Sequence, residues 1–237
     1  VPASPLMRAS GLLSEREEEV PRILLERQDW ALAARHAALH GIAPLVYKAI
    51  RPYAGLVNQE AEWFKEFRRG YVSSAAHNDL LIRELGRVVR TLAARGVETI
   101  LLKGAWLSQW VYAEPALRPM GDADLLLRSK DVPTFAKIAT DLGYQASMPF
   151  GGTELHDGAI HPLPAFIHPD KRIVLEPHSE LGPQYSGTPL DTRTLWQGAR
   201  RVWWADVELP ALSVKHHLMW QCLHLSDKHG YIASGIR

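Results

Sequence analysis

Asp122 and Asp124 stand two residues apart in the segment Arg118-Pro-Met-Gly-Asp-Ala-Asp-Leu-Leu-Leu127. The three leucines that follow read as the start of a buried strand. Side chains alternate across a strand, so residues i and i+2 share a face. Two like charges on one face are costly unless a cation or a proton neutralises them. A divalent ion of the magnesium type suits such a pair, because it takes one or two carboxylates and completes its shell with water and phosphate oxygens. Asp122 and Asp124 are therefore the first candidate metal ligands.

Four further groups belong to the same chemistry. Lys103-Gly104 falls where a short apolar run hands over to a helix. Glycine permits close backbone approach, and a helix start offers free N–H groups to a phosphate. Lys103 adds a mobile cation, although the full Walker pattern is absent. Arg118, four residues before Asp122, is a candidate phosphate contact or carboxylate partner. Glu176, in Arg172-Ile-Val-Leu-Glu-Pro-His178, is a candidate third carboxylate, acting as metal ligand and general base. His178 shares its face and is read as a phosphate contact or as a group that orients Glu176. Pro177 lacks a backbone donor, which predicts an edge position for this strand.

These groups need elements to position them. Residues 1–96 read as a helical region. Asp29 is a good N-cap for a helix that Gly41 stops, Ala43 to Ile50 forms a second, and Glu60 to Arg95 a long third. Leu81, Leu85, Val88, Val89 and Leu92 form one apolar stripe on that third helix, with Gly70 or Gly86 as possible breaks. Residues 97–210 then alternate. Strands are expected at Val97–Leu102, Ala123–Leu127, Pro164–His168, Arg172–Glu176 and Arg200–Leu209. Helices are expected at Ala105–Tyr112 and Ser129–Leu142, with Ser129 as N-cap. Residues 211–237 form a histidine-rich helical segment. The fold class is α+β: a small mixed sheet flanked by helices, with helical regions at both ends.

Composition excludes several classes. The chain has 237 residues, 46% of them hydrophobic, enough to bury a real core. Lys+Arg 27 against Asp+Glu 26 leaves a formal charge of +1, which argues against binding nucleic acid mainly through bulk charge. The single cysteine, Cys222, rules out an intrachain disulfide and a four-thiolate zinc site, and is read as a small buried residue of a cytoplasmic protein. No apolar run approaches the roughly 20 residues that span a bilayer. His36 and His40 have zinc-competent spacing, but no Glu follows His36, so the metalloprotease pattern fails. His217, Trp220 and His224 share a helix face and read as packing, as do Trp203 and Trp204.

Taken together, Leu-Leu-Lys103-Gly104, Tyr112, Arg118-Pro119, Asp122-x-Asp124 and Leu142-Gly-Tyr144 resemble the nucleotidyltransferases of the DNA polymerase beta-like superfamily. The likeness is greatest to the bacterial family of uncharacterised nucleotidyltransferases. His161-Pro-Leu-Pro-Ala-Phe-Ile-His-Pro169, Val174-Leu-Glu-Pro-His178 and Leu223-His-Leu-Ser-Asp-Lys-His229-Gly extend it, so that it covers about residues 97–230. The resemblance implies Mg (or Mn)-dependent transfer of a nucleoside monophosphate from an NTP to an acceptor hydroxyl, with release of pyrophosphate. It implies that Asp122, Asp124 and Glu176 bind metal and that Lys103 and Gly104 stand in the triphosphate loop. The acceptor is open among a protein, a peptide, RNA and a small molecule. Gly104-Ala105, where many relatives have Gly-Ser, keeps a second reading in view: a degenerate module that binds nucleotide or a partner without catalysis.

Overall fold

The computed structural model describes residues 29–148, 163–181 and 191–229, the strand residues 154–156 and 159–161, and positions 20 and 24. The chain divides into two compact units. The first holds the described residues up to Asp79 with Ser108–Pro119; the second holds Leu80–Leu107 and the described residues from Met120 onward.

In the first unit, α1 (Trp30–Leu39) starts where expected, with the Asp29 carboxylate accepting from the Leu32 N–H. Gly41 follows at φ 67, the left-handed conformation that ends a helix. The helix α2 (Ala43–Ile50) packs its Val46 and Ile50 with Ala33, Ala37, Phe64 and Phe67 in one core. The helix α3 (Glu62–Ala94) is continuous, so neither Gly70 nor Gly86 breaks it. Both glycines instead serve close packing. A Cβ on Gly70 would lie 2.9 Å from the Ala43 Cβ, and one on Gly86 would lie 3.3 Å from the Ala205 Cβ in the second unit's own packing. The segment 108–119 joins the first unit through carbonyl groups. The buried Asn78 amide donates to the carbonyls of Pro115 and Arg118, and the Ser74 hydroxyl donates to that of Ala116.

The second unit begins with the other half of α3. Its stripe Leu81, Leu85, Val88, Val89 and Leu92 is fully buried in the main core, as the spacing requires. Then follow β1 (Ile100–Leu101), α4 (Lys103–Trp110), β2 (Ala123–Leu126), α5 (Val132–Asp141), β3 (Gln145–Ala146), β4 (Glu154–His156), β5 (Ala159–His161), β6 (Phe166–His168), β7 (Ile173–His178), α6 (Thr192–Gln197), β8 (Arg200–Trp204), β9 (Val207–Ala211) and α7 (Val214–His229). Five strands form a mixed sheet in the order β1-β2-β7-β6-β3. The β2–β7 pair is parallel and the other pairs are antiparallel. The fold is thus the small mixed sheet with flanking helices that the sequence implies.

Several expectations are corrected. The first strand is only two residues long, because Val97 N–H bonds back to Leu92 and closes α3. Residues Ser129–Asp131 form a separate 3-10 turn before α5, and Ser129 does not cap the helix. Arg200–Leu209 is a hairpin: Ala205 and Asp206 both take positive φ, 51 and 63, the signature of a tight two-residue turn. No Asn-Gly marks it, so the sequence hides it. Cys222 is exposed, not buried, and Trp203 is 72% exposed. No helix of the described residues is long and apolar enough to cross a membrane.

The most consequential correction concerns β7, which lies at the centre of the sheet despite Pro177. Leu127 N–H bonds the His178 carbonyl, so the polar groups of His178 and Glu176 face β2 and those of Pro177 face the other way. On that other side β6 pairs only with residues 173–175. The missing donor of Pro177 falls past the end of that ladder, so no bond between β6 and β7 is lost.

Candidate active site

The parallel register sets Asp124 directly opposite Glu176, and Leu126 opposite His178. Along β7 buried and half-buried residues alternate, with Val174, Glu176 and His178 on the half-buried face. Asp124 is 1% exposed. Its Oδ1 accepts from two groups at once: the Lys103 ammonium at 2.5 Å and His178 Nε2 at 2.9 Å. An ionised carboxylate can only accept, so His178 places its proton on Nε2.

Lys103 reaches Asp124 because the chain makes a sharp turn out of β1. Lys103 has φ 43, a left-handed conformation that non-glycine residues adopt at a cost of order 1 kcal/mol or more. The Leu102 N–H bonds the Asp124 carbonyl at 3.0 Å, which ties this turn to β2. Gly104, the next residue, faces Met120; a Cβ there would lie 2.9 Å from the Met120 Cγ. Packing therefore supplies a reason for Gly104 beside its suitability for a phosphate.

The electrostatics are those of a site short of positive charge. Burial alone would raise the Asp124 carboxyl, but the Lys103 ammonium and the His178 bond outweigh it and hold the group well below the usual carboxylate range. Glu176 goes the other way. Burial and then the charges of Asp124 and Asp122 push its carboxyl up. One carboxylate is satisfied while its neighbour is strained by like charge, and a further cation would relieve that strain.

The donor set fits a divalent ion. Asp124, Glu176 and His178 each offer a ligand atom, and these atoms lie within 4.8 Å of one another. Asp122 is half-buried and stands outside this trio, although its charge acts on Glu176. Arg118 belongs to the first unit, where its guanidinium donates to the Pro119 carbonyl.

The profile of the family described as Uncharacterised nucleotidyltransferase matches residues 26–237. The chain belongs to that family. The match begins well before residue 97, so it takes in most of the helical N-terminal region. No curated protein matches it. Among solved structures it is similar to a lincosamide antibiotic adenylyltransferase, LnuA, with lincomycin bound. The identity is 14% and the TM-score 0.40, over 58% of this chain and 83% of that one.

An aromatic group lies beside His178. Trp220 on α7 lies edge-on to His178, with ring centroids 6.5 Å apart, and His224 lies 5.8 Å beyond it. Trp106 on α4 stacks on the buried His217 at 4.6 Å. The helical spacing of His217, Trp220 and His224 signals this stripe in the sequence. The part played by Trp106 is signalled only by its place three residues after Lys103, too weak a mark to find it by.

Proposed function

We propose that this nucleotidyltransferase moves a nucleoside monophosphate from an NTP to an acceptor hydroxyl, with a divalent cation, Mg or Mn, at the β2–β7 carboxylates. The observation that carries the reading is the opposition of Asp124 and Glu176 across a parallel pair, with Lys103 closing on the same carboxylate. In the reaction the acceptor oxygen attacks the α-phosphorus of the NTP. The bond between that phosphorus and the oxygen bridging to the β-phosphate breaks, and pyrophosphate leaves.

A cation there would supply neutralisation of the charge that builds up on the reacting phosphate. Asp124 and Glu176 would hold it, with Asp122 at the mouth of the same strand. Glu176 takes the proton of the acceptor hydroxyl on the carboxylate oxygen that the cation leaves free. Lys103 exchanges Asp124 for the triphosphate, beside the backbone N–H groups at the start of α4. The acceptor class stays open among protein, peptide, RNA and small molecule.

The test is incubation with each labelled NTP and Mg or Mn, with pyrophosphate release as readout. Transfer that Asp122→Asn and Asp124→Asn abolish supports the reading. If no nucleotide is bound or transferred, and neither variant changes anything, the reading fails. Tight NTP binding without turnover over many acceptors supports the degenerate binding module instead.

A further inference from the structure

We infer that the cation centre includes a nitrogen ligand, His178 Nε2, beside Asp124 and Glu176, and so selects a transition ion such as Mn2+ over Mg2+. The inference rests on the functional reading above and deepens it.

Geometry carries it. Adjacent ligands of an octahedral ion with bonds of about 2.1 Å stand about 3 Å apart, and opposite ligands about 4.2 Å apart. His178 Nε2 and Asp124 Oδ1 are 2.9 Å apart, and the three donor groups lie within 4.8 Å. The trio therefore closes on one ion with small side-chain movements. The pairing is fixed by the sheet: Glu176 and His178 share a face of β7, and Glu176 is in register with Asp124. Trp220 lies edge-on to the His178 ring on the same side.

Chemistry supplies the selection. Imidazole nitrogen is a poor partner for Mg2+, which prefers oxygen and water, and a good one for first-row transition ions. Coordination takes the neutral imidazole with its proton on Nδ1, so the Nε2 proton now donated to Asp124 leaves that nitrogen. The ion also replaces the Lys103 ammonium as counter-charge to Asp124, and Lys103 becomes available to phosphate.

The test adds Mn2+ alone to the full chain and reads directly coupled 14N by pulsed EPR. A coupled nitrogen is expected in the wild type, lost in His178→Gln and retained in His224→Gln. Mn2+ affinity should fall by roughly tenfold or more in His178→Gln. Competition should show Mn2+ binding tighter than Mg2+. Should His178→Gln fail to fold, wild-type protein grown with 15N-histidine assigns the nitrogen to histidine by the change in coupling. Bound Mn2+ without nitrogen coupling overturns the inference, as does equal affinity for the two ions or no Mn2+ binding. Nucleotidyl transfer is assayed separately. Transfer with a nitrogen-free ion defeats this inference alone, whereas a nitrogen-coupled ion with no transfer of any NTP defeats the functional reading alone.

Discussion

Asp124 faces Glu176 across the parallel pairing of β2 and β7, and the two carboxyls are driven in opposite directions. Lys103 and His178 fully compensate Asp124, while at Glu176 burial and the two aspartates outweigh them. Asp124→Asn and Glu176→Gln should each lower nucleotidyl transfer by about a hundredfold or more, since cation stabilisation of the transition state amounts to several kcal/mol. Initial rates with saturating NTP check this. Asp124→Asn should also lower the melting temperature more than Glu176→Gln does, because it leaves Lys103 without its buried partner.

Lys103→Met separates two uses of one side chain. Without nucleotide the ammonium competes with a cation for Asp124, so its loss should tighten Mn2+ binding. With nucleotide it serves the triphosphate, so its loss should weaken NTP binding. Calorimetric titrations of the variant with Mn2+ and with a non-hydrolysable NTP should move in opposite directions. Parallel weakening would mean that Lys103 only supports the fold.

Cation affinity should rise with pH over a range that starts above the ordinary glutamate value. Glu176 is raised, so it keeps its proton to a higher pH than usual, and a ligand must lose its proton to bind. Mn2+ titrations at a series of pH values check the slope, which Glu176→Gln should flatten.

His217 is 4% exposed, neither ring nitrogen has a hydrogen-bond partner among the described residues, and burial and then His216 lower its pKa from 6.5 to about 4. The native state therefore binds the proton less readily than the unfolded chain does. Stability from this group is complete above about pH 6.5 and is lost as pH falls from there toward 4. The loss should be about 2 kcal/mol between pH 7 and pH 5. His217→Phe keeps the stack on Trp106 and removes the titration, so its denaturant midpoint should vary less with pH than that of the wild type.

Gly70→Ala should destabilise the first unit by about 1–3 kcal/mol, although alanine is the better helix former by about 1 kcal/mol. The new Cβ meets the Ala43 Cβ at 2.9 Å, an atom with no rotamer to give. Gly86→Ala meets Ala205 at 3.3 Å and should cost less. Urea unfolding of both variants tests the order.

What the sequence by itself determined was local. Periodicity located α3 and its buried stripe, Asp29 and Gly41 bounded α1, and strand alternation put Asp122 and Asp124 on one face. The helix assignments depend on neighbours along the chain, so residue type and spacing suffice; the strand itself begins at Ala123, one residue after Asp122. Where pairing decides, the sequence was silent. Pro177 argued for an edge strand, and only the short reach of β6 shows why a central strand tolerates it. Ala205-Asp206 makes a hairpin turn that lacks the usual glycine, because the pairing of β8 with β9 holds both residues at positive φ. The site shows the same division. The sequence named Asp124, Glu176, Lys103 and His178 as candidates, but not that one carboxylate oxygen holds both Lys103 and His178. That convergence joins residues up to 75 positions apart, and the parallel register of β2 on β7, with the left-handed turn at Lys103, is what brings them together.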